Sequence, residues 1–261
     1  MLVTNKRSRF GVKMETVYFA EKPNDYHTSC DAVLFYSSPE YPKGDYYGET
    51  SYTILLDLTR DEEALLNGMN RTNRRLIKAA MAQESIITEF NHQPTQEDIE
   101  VFCESYNRFA RAKGIQDADM AHLNRLRDMG RLHLIYSRLE DKEILGAMSF
   151  VLLENRAYFV YACSNYLLTD NKDKQKLCSL ANRKMYWLIL MYLKEQGCQR
   201  ADFGGYANGT KDHALDGLDQ FKSSFGGDVI RECNFYRGYS WKGKLFVGFL
   251  KLIKKPFCLW D

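Results

Sequence analysis

Three strand-like segments, Leu132 to Arg138, Ile144 to Leu153 and Ala157 to Ala162, follow one another with almost no chain between them, and a long helical stretch, Lys176 to Glu195, comes soon after. The separators Glu140-Asp141-Lys142 and Glu154-Asn155 have room only for hairpins, so the three segments must form an antiparallel meander. The helix, closed by Gly197, then carries the chain far enough to lay Arg200 to Phe203 parallel to a strand that precedes it. This order predicts an α+β fold, with a mixed, mostly antiparallel sheet flanked by helices.

The chain before the meander fits that plan. Thr53 to Leu58 reads as a strand, and Thr59 with Asp61 and Glu62 opens a helix running to about Gln83. A strand is expected at Ile86 to Phe90. Thr95 and Asp98 have capping-box spacing before a helix to Lys113 that Gly114 stops, and a shorter helix covers Ala118 to Met129. Residues 1–50, with short apolar runs at Val17 to Ala20 and Ala32 to Tyr36, read as an irregular N-terminal β segment packing on a domain formed by 51–261. A final strand pair is expected at Val229 to Tyr236 and Tyr239 to Phe246.

Composition limits the function. With 45% hydrophobic content in 261 residues the chain buries a real core, and 36 Lys+Arg against 34 Asp+Glu leaves +2, so nucleic-acid contact would need a local patch. Seven cysteines are scattered without a CxxC or a histidine pair at ligand spacing. They read as buried thiols of a reducing, cytoplasmic protein, with no metal site. The first residues, MLVTNKRSRFG, carry no secretory signal. The basic stretch Arg237 to Lys255 holds six Lys/Arg and no acid, interleaved with Tyr239, Trp241, Phe246 and Phe249. That pattern fits an anionic membrane face or RNA, and it also fits an edge strand with a basic rim.

Chemistry concentrates between Arg200 and Gly227. Gly204-Gly205 lets the backbone approach a ligand closely, and Lys222 stands in Phe221-Lys222-Ser223-Ser224-Phe225 before a second glycine pair. A lysine held this way is a cation for an anionic or carbonyl substrate, or an exposed loop lysine. Asp202, at a strand end, orients an amine or caps the turn. Arg71, Arg74, Arg75 and Lys78 make a basic stripe at helical spacing, suited to phosphates or to plain solvation. No Ser/His/Asp or Cys/His triad is readable, so direct attack on an activated donor is the natural chemistry.

With those pieces in view, the sequence resembles the Fem family of non-ribosomal peptidyl transferases, which carry GNAT-type domains. The resemblance runs from about Ile54 to Tyr239 and rests on LDLTRDEEALLNGMNRTNRRLIKAA (Leu56 to Ala80), LGAMSFVLLENRAYFVYACS (Leu145 to Ser164), ADFGG (Ala201 to Gly205) and DGLDQFKSSFGG (Asp216 to Gly227). It implies transfer of an acyl or aminoacyl group to an amino group of a cell-envelope precursor, a nucleotide-linked sugar or peptidoglycan peptide, at the inner face of the membrane. Acyl-CoA or aminoacyl-tRNA is then a co-substrate, and no cofactor is permanently bound. Lys222 falls at the family's charge-stabilising lysine, and a strand tyrosine, Tyr161, is the implied proton donor. Asp202 joins them as a catalytic candidate, with Gly204, Gly205, Phe221, Arg71, Arg75 and Arg111 on the substrate side. Tyr158 and Tyr161, three residues apart, lie on opposite faces of a regular strand unless a bulge intervenes. The chain departs from the family in showing one such domain instead of two, and Ser164 to Lys176 has no glycine where acetyl-CoA enzymes of GNAT type carry a pyrophosphate loop. A non-catalytic module docking through the basic tail is the alternative.

Overall fold

The computed structural model describes residues 2–9, 11–141, 143–207 and 213–253. Lys142, residues 208–212, and Lys254, Lys255 and Cys258 lie outside them. Contacts gather the chain into two units, Ile54–Asp228, and Met1–Thr53 with Val229–Asp261.

In the larger unit, α1 (Glu62–Gly68) and α2 (Arg71–Met81) replace the single helix expected from Thr59 to Gln83. Thr59 is not the cap: its amide and hydroxyl both bond Asp57 Oδ1, and Asp61 receives the Ala64 N–H at 2.7 Å. Asn70 starts the second helix by accepting the Asn73 N–H at 2.8 Å, while its own N–H bonds the Ser224 carbonyl at 3.1 Å. A local cap and a long-range partner thus break what periodicity joined. Strand β5 (Ile87–Asn91) leads to α3 (Gln96–Lys113), where Thr95 and Asp98 complete the reciprocal capping box and Gly114 ends the helix at φ +72°. Helix α4 (Met120–Asp128) is capped by Asp119.

The meander is β6 (Leu132–Arg138), β7 (Ile144–Leu152) and β8 (Arg156–Ser164), antiparallel throughout. Helix α5 (Lys172–Glu195) begins one turn before the expected start, at the cap Asn171, and returns the chain to β9 (Arg200–Gly205), parallel to β8 as anticipated. Strand β4 (Tyr46–Asp57) contributes its end to this unit, giving the order β4-β9-β8-β7-β6-β5. The core joins Ile54, Leu56 and Leu58 to Met185, Ile189, Leu190 and Leu193 of α5, closed by the Phe159, Tyr186, Phe203 and Phe225 rings.

Helix α6 (His213–Ser223) ends in a turn through Gly226 and Gly227, both at positive φ. A Cβ on Gly227 would stand 2.7 Å from the Leu55 carbonyl oxygen, and one on Gly226 2.8 Å from that of Gly68. Only glycine fits there, and the turn fixes where Lys222 emerges. Gly227→Ala should lower unfolding free energy by about 1–3 kcal/mol through strain and overpacking. Thermal denaturation checks this, and an unchanged midpoint would mean the turn relaxes freely.

The smaller unit is not irregular. Its sheet runs β1 (Leu2–Arg9), β2 (Val12–Tyr18), β3 (Ala32–Ser38), β10 (Asp228–Gly238) and the start of β4, with β2 and β3 parallel and β3 and β10 antiparallel. Residues 229–253 therefore group with the N-terminal segment and not with the larger unit. The expected strand Tyr239 to Phe246 is instead helix α7 (Trp241–Ile253), because Ser240 turns the chain and Val247 and Leu250 pack at helical spacing on Val12, Met14 and Leu34. Among the described residues no helix is long and apolar enough to cross a membrane, and no group of three or more His, Cys, Asp or Glu is placed to hold a metal ion. The six described cysteines are free and buried.

Candidate functional site

Parallel pairing of β8 with β9 covers only Arg156 to Tyr158 against Arg200 to Asp202. Beyond it β8 continues to Ser164 and β9 to Gly205, so the strands separate just where the tyrosine and the double glycine lie. Gly204, at φ +73°, turns the β9 backbone there.

The register of β7 with β8 also slips: Ser149 faces Tyr161 while Phe150 faces Phe159, leaving Val160 as the surplus residue. This is a β-bulge. Phe159 stays on the α5 side against Tyr186 and Phe203, whereas Tyr161 lies against Tyr106 of α3, ring centroids 4.8 Å apart. The bulge thus brings Tyr158 and Tyr161 to one face. The Tyr161 hydroxyl accepts the Asp119 N–H at 3.0 Å, which fixes its oxygen at the start of α4.

Asp202 lies at the point of separation and is buried, and its partner Arg156 is part-buried. One carboxylate oxygen receives Arg156 through Nε at 3.1 Å and a terminal nitrogen at 2.5 Å, and the other receives the Gly204 N–H at 2.8 Å. The aspartate therefore couples strand, turn and arginine. Gly205 offers its carbonyl to Lys222 Nζ. The lysine is only 8% exposed. Burial pushes its pKa below the ordinary 10.5, opposed by the charges of Asp202 and Asp219, while Lys113 at the end of α3 acts in the lowering direction. Asp219 is itself held by the Ala207 N–H, at 3.1 and 3.0 Å to its two oxygens. A desolvated cation with one proton committed to a backbone carbonyl keeps further donors for an oxyanion.

Phe221 turns to the other side of α6, onto Tyr186, Phe225 and the Arg183 guanidinium, which stands 5.5 Å from its centroid. It is a core anchor that steadies Lys222. Arg71 and Arg75 have exposed side chains on α2, and Arg111, exposed near the end of α3, pairs with Asp117 at 3.4 Å. The structure brings together Lys222, Asp202, Gly204 and Gly205. Tyr161 lies on the separated stretch of β8, and no described contact joins Arg71, Arg75 or Arg111 to the lysine. Sequence reading missed Arg156 and Asp219. Only a parallel register could have paired Arg156 with Asp202, whereas Asp219, three residues before Lys222, was open to helical-spacing arguments.

The stretch between β8 and α5 is a 3₁₀ turn at Asn165–Leu168 followed by Asn171, whose side chain accepts the Lys174 N–H at 3.1 Å. A donor that a phosphate would use at this helix start is thus already engaged. A separate groove of about 540 Å³ lies on Glu89, Asn91, His92, Asp98 and Tyr136, at the β5 edge of the sheet. Its acids are structural: Glu89 pairs with Arg138 at 2.7 Å and Asp98 belongs to the α3 capping box.

This architecture, a mixed and mostly antiparallel sheet flanked by helices, is an α+β fold that the chain shares with solved structures. The chain is similar to FemX, with a TM-score of 0.61 at 16% identity over 78% of this chain and 64% of that one. It is also similar to a C-terminal domain ascribed to a lysylphosphatidylglycerol synthetase from Agrobacterium fabrum, with TM-score 0.53, 12% identity, and coverage of 84% and 72%. L-PGS from Bacillus licheniformis gives 0.51 and 13%, with coverage of 86% and 73%. The match spans less than two thirds of FemX. No sequence family and no curated protein matches the chain.

Proposed function

We propose that this protein is an acyltransferase that moves an acyl or aminoacyl group from an activated donor to an amino group of a cell-envelope precursor. The observation that carries the reading is Lys222, a buried cation anchored on the Gly205 carbonyl where β8 and β9 part. Attack of an amine on an activated carbonyl generates a tetrahedral oxyanion, and a desolvated, pre-positioned ammonium stabilises it without reorganising. Tyr161, with its oxygen placed by the Asp119 amide, is the candidate proton donor to the leaving group. Asp202 is a positioning residue, fixing the Gly204 turn that presents Gly205 to the lysine. The engaged helix start at Asn171 and the glycine-free stretch before it favour aminoacyl-tRNA over acyl-CoA as the donor.

Transfer assays test the reading directly: the protein is incubated with aminoacyl-tRNA or acetyl-CoA, and with a nucleotide-linked muramyl peptide or an amino sugar as acceptor. Product from either donor supports it. No transfer, with no thermal stabilisation by any of the four compounds, would sink it.

The pH dependence has a definite sign. The ammonium form acts, and its pKa is lowered from 10.5 by burial, so turnover should fall as pH rises through a value below 10.5. Between that value and 10.5 the unfolded chain holds the extra proton, so this group makes the fold more stable with rising pH, opposite to its effect on rate. A rate that climbs with pH across this window would assign the lysine to base catalysis instead.

A further inference from the structure

Helix α7 carries an apolar stripe on its outward side. Trp241 is 69%, Leu245 65%, Phe249 54% and Leu252 83% exposed, at spacings of four, four and three residues that stack them along one face. The opposite face packs through Gly243, Val247 and Leu250. A surface helix ordinarily turns polar residues to water, so a helix apolar on both sides has a second apolar partner.

The stripe cannot roll inward. A Cβ on Gly243 would stand 1.8 Å from the Asp31 carbonyl oxygen, so the helix backbone lies directly on that of Asp31. The same carbonyl accepts the Tyr239 N–H at 2.7 Å, and the Asp31 carboxylate accepts the Ser240 hydroxyl at 2.5 Å. The outward side is therefore fixed by the fold.

Charge selects the partner. Lys242, Lys244 and Lys251 are exposed on this helix, which has no acidic residue, and Lys251 meets Asp45. Aliphatic side chains at Leu245, Leu252 and Ile253 favour hydrocarbon over nucleobases, which stack on aromatic planes. At 13 residues the helix is too short to span a bilayer and is suited to lie flat in its interface.

We propose that α7 is a membrane-docking helix, inserting Trp241, Leu245, Phe249 and Leu252 below the headgroups of an anionic bilayer while its lysines meet lipid phosphates. This assignment is independent of the transfer chemistry.

The test is co-sedimentation of the full chain with phosphatidylcholine vesicles, with and without phosphatidylglycerol, alongside tryptophan emission. In a Trp260→Phe background the protein should partition onto anionic vesicles with a blue shift that Trp241→Phe reduces, since Trp187 is buried already. The triple variant Leu245→Gln, Phe249→Gln, Leu252→Gln should lose more than about tenfold in partitioning. Lys242→Gln and Lys244→Gln should each cost about fivefold, and added salt should weaken binding. Because these side chains are exposed, the variants should keep the wild-type melting temperature and circular dichroism. Partitioning that ignores phosphatidylglycerol or survives the triple substitution would overturn the assignment. So would a dimer in sedimentation equilibrium that the triple variant dissolves without any vesicle binding, or binding to single-stranded RNA in place of vesicles.

Discussion

Lys222→Met should lose about 10²–10³ of its transfer rate, the scale on which one pre-organised oxyanion donor acts, while the fold persists. The substitution keeps much of the stem and removes the charge together with the hydrogen bond to the Gly205 carbonyl. Burial already works against that charge, as the lowered pKa shows, so its loss should not weaken the fold electrostatically. Structure and rate therefore separate cleanly at this position. The measurement is single-turnover transfer beside a thermal melt. If transfer is near wild type with the melt unchanged, the lysine is a structural tie to Gly205 and nothing more.

Asp202→Ala should be the most destabilising single change in the site, about 1–3 kcal/mol, because it removes the buried carboxylate that holds the part-buried Arg156 guanidinium. It also strips the Gly204 N–H of its acceptor. Replacing both partners together, Arg156→Met with Asp202→Leu, should recover part of that loss, since the two charges that face each other leave together. Denaturant melts of the two single variants and the double variant measure the coupling. Additive losses would show that the pair does not act as a unit. The double variant, stable but lacking the anchor of the Gly204 turn, should still be slow in transfer, which distinguishes a positioning role from a purely structural one.

The larger unit was largely legible because its signals are local. Thr95 and Asp98 cap α3, Gly114 and Gly197 sit at positive φ where their helices end, and hairpin-length separators force the meander. The smaller unit was not. Parallel pairing of β2 with β3 and the joining of β10 to them depend on partners distant in sequence, and no short-range pattern reports them. Helix α7 was misread because its aromatic residues suggest a strand, whereas Gly243 and Val247 reveal a packed helical face only when Asp31 is beside them. At the site, the Phe-Lys segment pointed to Lys222, and Arg71 and Arg75 of the α2 stripe stand exposed. Arg156 carried no sequence signal at all.

The slip between β7 and β8 bears on how this chain is compared with others. One surplus residue, Val160, decides on which side of the sheet the Tyr161 ring emerges. A chain of the same architecture without that residue can align a tyrosine in the same column and yet bury it under the long helix. Matching letters will not identify the equivalent hydroxyl; counting residues between the hairpin and the parting of the strands will.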